Sequence, residues 1–153
     1  MRNYLGLAML AATVFATPSF ADGHGKQMTD HAVTYAFDGE FDDATFAVES
    51  AIVGQGLVID YVSHTGEMLE RTKGDVGSDI TIFDAADIFL FCSARVSREV
   101  MEADPQNIAF CPYSIYVTQT DGEVRVGYRT YPNGPMQKVQ SLLDGIVLEA
   151  VAE

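Results

Sequence analysis

Two cysteines, Cys92 and Cys111, are the residues of this chain best equipped for chemistry, and 18 residues separate them. A thiol pair can close a disulfide, cycle electrons with a partner dithiol, or offer soft ligands to haem iron, copper or zinc. Cys92 stands near the end of the apolar run Asp87-Ile88-Phe89-Leu90-Phe91-Cys92-Ser93, and Cys111 opens Cys111-Pro112-Tyr113-Ser114-Ile115-Tyr116-Val117. If both runs are strands and antiparallel neighbours, the two thiols meet at one end of the sheet. There is no Cys-x-x-Cys of the thioredoxin kind and no Cys-x-x-Cys-His for covalent haem. Cys111-Pro112 is superficially like a dipeptide found at some haem ligands. A proline as the first residue of a strand, where its missing donor costs little, explains it more simply.

The remaining candidates are weaker. His24, Met28 and His31 could offer imidazole and thioether to copper, but a glycine-containing tail fixes no geometry, and a solvated polar lead-in is the better reading. His64 has no partner at a defined spacing and reads as a surface histidine. Arg125 and Arg129 share a face with Gly127 and Tyr131 and could line an anion site, although charges that keep an edge strand soluble explain them as well. Asp42 and Asp43 read as helix-entry residues, and Asp84 and Asp87 as brackets around a strand. No nucleophile elbow, Walker loop, Rossmann glycine fingerprint, zinc-protease helix motif or EF-hand loop occurs, so no catalytic residue and no cofactor is assigned.

The compartment decides among the cysteine readings. Arg2, an uncharged stretch from Leu5 to Ala16, Pro18 and then Ser19-Phe20-Ala21 follow the charged, apolar and small-residue order of a cleavable export signal. The apolar part is shorter than the roughly 20 residues that span a bilayer. Residues 1–21 are therefore expected to be removed, leaving a periplasmic or secreted protein that begins at Asp22, with no membrane attachment after cleavage. In an oxidising compartment a structural disulfide is the default for Cys92 and Cys111. Removal of the leader takes Arg2 and no acid, so the net charge moves from −13 to −14. Nucleic acids and anionic membranes, which are bound through clustered Lys and Arg, are excluded as main partners.

The elements that must position these groups follow from periodicity. Residues 22–32 lack an apolar period and read as a mobile lead-in to one domain over 33–152. Ala32 to Phe37 alternates as a strand. Phe41 to Ile52 keeps helical spacing, with Asp42 placed to cap and Phe41 to staple onto Phe46, and Gly54 and Gly56 supply the stop. Leu57 to Ser63 is a strand with Leu57, Ile59 and Tyr61 on one face. The glycine-rich segment from His64 to Gly77 carries one helical turn, with Glu67 and Arg71 spaced for an ion pair. The Phe-rich run ending at Cys92 is apolar on both faces and should be central. A short helix over 96–104 precedes Pro105. Asp121-Gly122 between two alternating runs is a two-residue hairpin signal, and Met136 to Ala150 carries the apolar stripe of a last helix.

That order predicts an α+β sandwich, with one largely antiparallel sheet whose helices lie on one face. Either Phe89 and Phe91 or Ile88 and Leu90 would then stay partly bare, which predicts a homodimer through the sheet.

The runs Gly56-Leu57-Val58-Ile59 and Ile88 to Ser93, the helix ending Glu102-Ala103-Asp104-Pro105, and Cys111 to Val117 together resemble the domain of unknown function 302 family over roughly residues 33–152. The resemblance implies a TATA-binding-protein-like β-α-β(4)-α topology, here with short added helices. That name describes topology, not DNA binding, and the family's core pattern does not require the cysteine pair. It implies no activity. The expected function is a small exported binding or accessory domain, engaging itself, another periplasmic protein or a small ligand. The alternative is a redox or metal- or haem-handling protein that uses Cys92 and Cys111.

Overall fold

The computed structural model describes residues 25–152; the expected leader 1–21 and His24 lie outside them. Six strands, β1 (Gln27–Met28), β2 (Ala32–Phe37), β3 (Val58–Ser63), β4 (Ala85–Cys92), β5 (Tyr113–Thr120) and β6 (Glu123–Arg129), form one sheet in the order β1-β2-β6-β5-β4-β3. Every neighbouring pair is antiparallel. Four α-helices connect or flank them: α1 (Phe41–Gly54), α2 (Thr65–Thr72), α3 (Ala94–Ala103) and α4 (Gln137–Val151). With β1 and the short helices set aside, the order is β-α-β(4)-α.

The sheet is two-faced because its strands alternate. Val33 and Tyr35, Phe89 and Phe91, Tyr113, Ile115 and Val117, and Val124, Val126 and Tyr128 are buried beneath Val48 and Ile52 of α1 and Val139, Leu143, Ile146 and Val147 of α4. The opposite face carries Ile88, Leu90, Ser114, Tyr116, Thr118, Thr34 and Arg125, all half-buried. It is therefore Ile88 and Leu90, not the two phenylalanines, that the helices leave uncovered. The hairpin forms as its residues require: Asp121 and Gly122 both take positive φ, 52° and 80°. Asp84, from the segment before β4, accepts from the Gly122 N–H at 3.2 Å.

Several local expectations change. Gln27 and Met28 pair with Thr34 and Val33, so the first strand pairing falls within the expected lead-in, closed by a turn in which the Thr29 N–H donates to the Ala32 carbonyl. Asp42 does not cap α1, whose N-cap is Glu40, and Phe46 is 70% exposed, so no staple forms with Phe41. A bulge between Ile59 and Tyr61 rephases β3. Ile59 and Val62 pack against the core, while Val58 and Tyr61 face out. The segment after β3 makes two turns of helix, and its ion pair is Glu70–Lys73. That helix lies against β4 past the end of β3; Gly66 approaches so closely that an added Cβ would sit 2.5 Å from the Ala86 nitrogen. Strand β6 is interior, between β2 and β5, so Arg125 and Arg129 are not edge-strand charges.

Candidate functional site

Local chemistry brings the cysteines together. Directly after Cys92, the Ser93 hydroxyl accepts from the Val96 N–H and turns the chain into α3. Asp104 then caps a 3-10 segment over Pro105–Phe110, accepting from the Gln106 N–H, and the Asn107 amide donates to the Val100 carbonyl, folding that segment back onto α3. The register Phe91↔Tyr113 places Cys92 opposite residue 112, and Cys111 is next to it. The sulfurs lie 2.7 Å apart, as two partly exposed free thiols. The Cys111–Pro112 peptide is cis, and Pro112 precedes β5 rather than opening it.

Burial first, then the Cys111 sulfur and Asp60, push the Cys92 thiol up to about 12. Cys92 is accordingly a protonated thiol near neutral pH when reduced, and a poor attacking group. Beside the pair, Tyr113 is fully buried, its oxygen accepting from the Ser97 hydroxyl at 3.0 Å. Tyr131 stands edge-on to Tyr113 at 6.3 Å and tilted against Phe110 at 5.8 Å. The Arg129 guanidinium lies over both Phe110 and Tyr131, at 5.1 and 5.8 Å from their ring centres. The cysteine pair and Arg129 thus stand on either side of one aromatic cluster.

The other predicted residues divide. Arg125 is engaged: it donates to the Gly25 carbonyl at 2.9 Å and to the Thr34 hydroxyl at 3.1 Å, which removes it as an open anion site. His31 joins the Arg129 end, where its carbonyl accepts from the Thr130 N–H. Met28 is exposed on β1. Among the described residues no group of three or more His, Cys, Asp or Glu is placed to hold a metal ion, and no helix is long and apolar enough to cross a membrane.

Two arrangements escaped the sequence. His64 does have a partner: its Nδ1 is 2.8 Å from Asp87 Oδ1, and that hydrogen bond raises the imidazole above its ordinary pKa. Asp144 of α4 accepts from both Tyr35 and Tyr128, two of the most deeply buried hydroxyls, with Lys26 near the same oxygen at 3.7 Å. Burial and then this carboxylate raise the Tyr128 phenol. A signal for the second was present. Gln137, Gln140 and Asp144, at i, i+3 and i+7, form one polar row beside the apolar stripe of the last helix. Gln137 donates to the Tyr131 carbonyl and Gln140 accepts from the Tyr131 N–H, so the whole row ties α4 to the sheet.

A two-faced antiparallel sheet under two long helices, in β-α-β(4)-α order, defines a compact α+β class, and the cysteine pair of this chain lies at one end of the sheet. The chain belongs to the family described as domain of unknown function DUF302, whose model matches residues 31–140. It is similar in fold to a crystal structure described as an uncharacterized conserved protein DUF302 from Bacillus stearothermophilus, with 14% identity and a TM-score of 0.59, covering 79% of this chain and 95% of that one. No curated protein sequence matches it.

Proposed function

We propose that this protein is an exported binding domain that acts through its uncovered sheet face, and that the first partner of that face is a second copy of the chain. The observation that carries this is the distribution of groups on the face. Val58 and Tyr61 of β3, 73% and 64% exposed, adjoin Ile88 and Leu90 of β4 and Tyr116 of β5. Its carboxylates are confined to the rim, Asp60 in the β3 bulge and Glu123 at the hairpin. In a protein carrying 22 acids, two copies can approach closely only where acids are missing. Apolar area of this kind marks an interface rather than a resting surface. Face-to-face contact is favoured over strand addition at the β3 edge, because a bulge and Asp60 interrupt that edge.

In this reading the leader delivers the chain to the periplasm or beyond, and Cys92 and Cys111 close a disulfide that clamps the end of β4 to the start of β5. Sulfurs at 2.7 Å need only small rotations to reach the roughly 2.05 Å of a bond. Sedimentation of the chain from Asp22 onward tests the dimer: wild type should associate and Leu90→Asp should not.

The partial exposure of both sulfurs favours a second reading, thiol–disulfide exchange: a partner's thiolate attacks the Cys92–Cys111 disulfide, a mixed disulfide forms, and the pair leaves as two thiols while the partner dithiol becomes the disulfide. The readings separate on ease of reduction: a clamp resists mild reductant, and an exchanging pair yields to it.

A further inference from the structure

Beyond the sheet face, we propose that the cavity at the Arg129 end of the sheet is a binding site for a small organic carboxylate with a flat apolar body. The cavity, about 400 Å³, is walled by Phe110, Tyr131 and Pro132, with His31 and Asp30 on the facing turn. Its one cation is pre-positioned. The Arg129 guanidinium carbon lies 5.1 Å from the Phe110 ring centre and 5.8 Å from that of Tyr131, and among the described residues it has no carboxylate within 4.0 Å, unlike Arg95 and Arg98, which pair with Glu99 and Glu102. A cation–π contact consumes none of the guanidinium N–H donors, and the planar fork of an arginine takes a carboxylate bidentately.

The two turns that form the mouth are clasped to each other. The Thr130 N–H donates to the His31 carbonyl at 2.9 Å, and the Thr130 hydroxyl donates to the Asp30 carbonyl at 2.7 Å. The site is thus held open before any ligand arrives, which lowers the ordering cost of binding. The buried Tyr131 hydroxyl, which has no hydrogen-bond partner among the described residues, adds an unspent donor to the same aromatic cluster. Asp30 at the mouth selects the ligand's charge. A second negative charge is repelled more than a single one, so a monoanion is preferred over inorganic phosphate, and the rings supply contact only to a ligand that has an apolar body.

The test is a titration of the isotopically labelled protein, from Asp22 onward, with sodium benzoate, followed by NMR. Benzoate is expected to shift the Arg129 Nε–H and the amides of His31, Thr130 and Tyr131 in a saturable way. Arg129→Gln should weaken the binding at least tenfold, and Arg129→Lys, which keeps the charge and loses the fork, should weaken it severalfold. Arg125→Gln, whose group is already engaged, should bind as wild type does. An amide spectrum that stays dispersed shows that each variant is folded. Inorganic phosphate at equal concentration should shift these resonances less. No saturable shift, equal binding by folded Arg129→Gln, or phosphate binding as tight as benzoate would overturn the proposal. Leu90→Asp should still bind benzoate, so failure of this site and failure of the sheet-face dimer are separate results.

Discussion

Cys92 and Cys111 stand at the end of one strand and just ahead of the next, and the excursion between them returns because three side chains, Ser93, Asp104 and Asn107, fasten its turns. A bridge closing a loop of this length is worth about 3 kcal/mol in the chain-entropy picture. Intact mass of protein produced in an exporting host tests both the proposed removal of residues 1–21 and the proposed bridge. The expected species begins at Asp22 and gains no alkyl group from iodoacetamide until it is reduced, after which it gains two. Two additions without reductant contradict the clamp. His64 offers a second residue-scale prediction. The Asp87 hydrogen bond favours the charged imidazole, so the folded pKa lies above the unfolded one. The stability it contributes is complete below the unfolded value near 6.5 and fades as pH rises through the folded value. An NMR titration of the His64 ring should show the raised midpoint, moving back toward the ordinary value in Asp87→Asn. The cysteine meeting was legible because it depends only on where two apolar runs end. The His64–Asp87 pair was not, because it depends on strand register through a bulge that nothing in Val58-Ile59-Asp60-Tyr61 announces.

At the scale of elements, the sheet registers are set by the hairpin at Asp121-Gly122, and α4 is fixed by the row Gln137, Gln140 and Asp144 as well as by its apolar stripe. The hairpin was readable because only particular residues accept positive φ at both turn positions. The extra turn of α2 was hidden by its glycines. Gly66, a weak helix residue in isolation, is retained there by close approach to β4. Gly66→Ala should therefore be destabilising by about 1–3 kcal/mol in spite of alanine's better helix propensity. Gly74→Ala, where nothing lies within 4 Å of the added methyl, should be close to neutral. Urea denaturation of the two variants checks the contrast, and an unchanged Gly66→Ala would show that α2 is not seated as described. Strand β1 escaped notice because two residues carry no period, and the staple at Phe46 failed because α1 turns that side chain to solvent.

For the molecule as a whole, the proposed function rests on the separation of charge from apolar surface. Helices cover one sheet face, acids crowd the rest, and the remaining face keeps its carboxylates at the rim. The two-faced sheet could be read from alternation. Which face stays open could not, since Phe89 and Phe91 alternate with Ile88 and Leu90 in the same run and only the position of α1 and α4 decides between them. Two copies of the chain from Asp22 onward, which lacks Arg2 and so carries −14 where the full sequence carries −13, repel one another at long range. Association through this face should therefore tighten as ionic strength rises from about 0.01 M to about 0.15 M and the screening length falls from about 30 Å to about 8 Å. Interfaces built on surface ion pairs respond in the opposite direction. Sedimentation equilibrium on the chain from Asp22 onward, across concentration and at both salts, is the most direct measurement. The account predicts a reversible dimer, stronger at the higher salt and abolished by Leu90→Asp. A monomer at every concentration, or a dimer indifferent to Leu90→Asp, would contradict it.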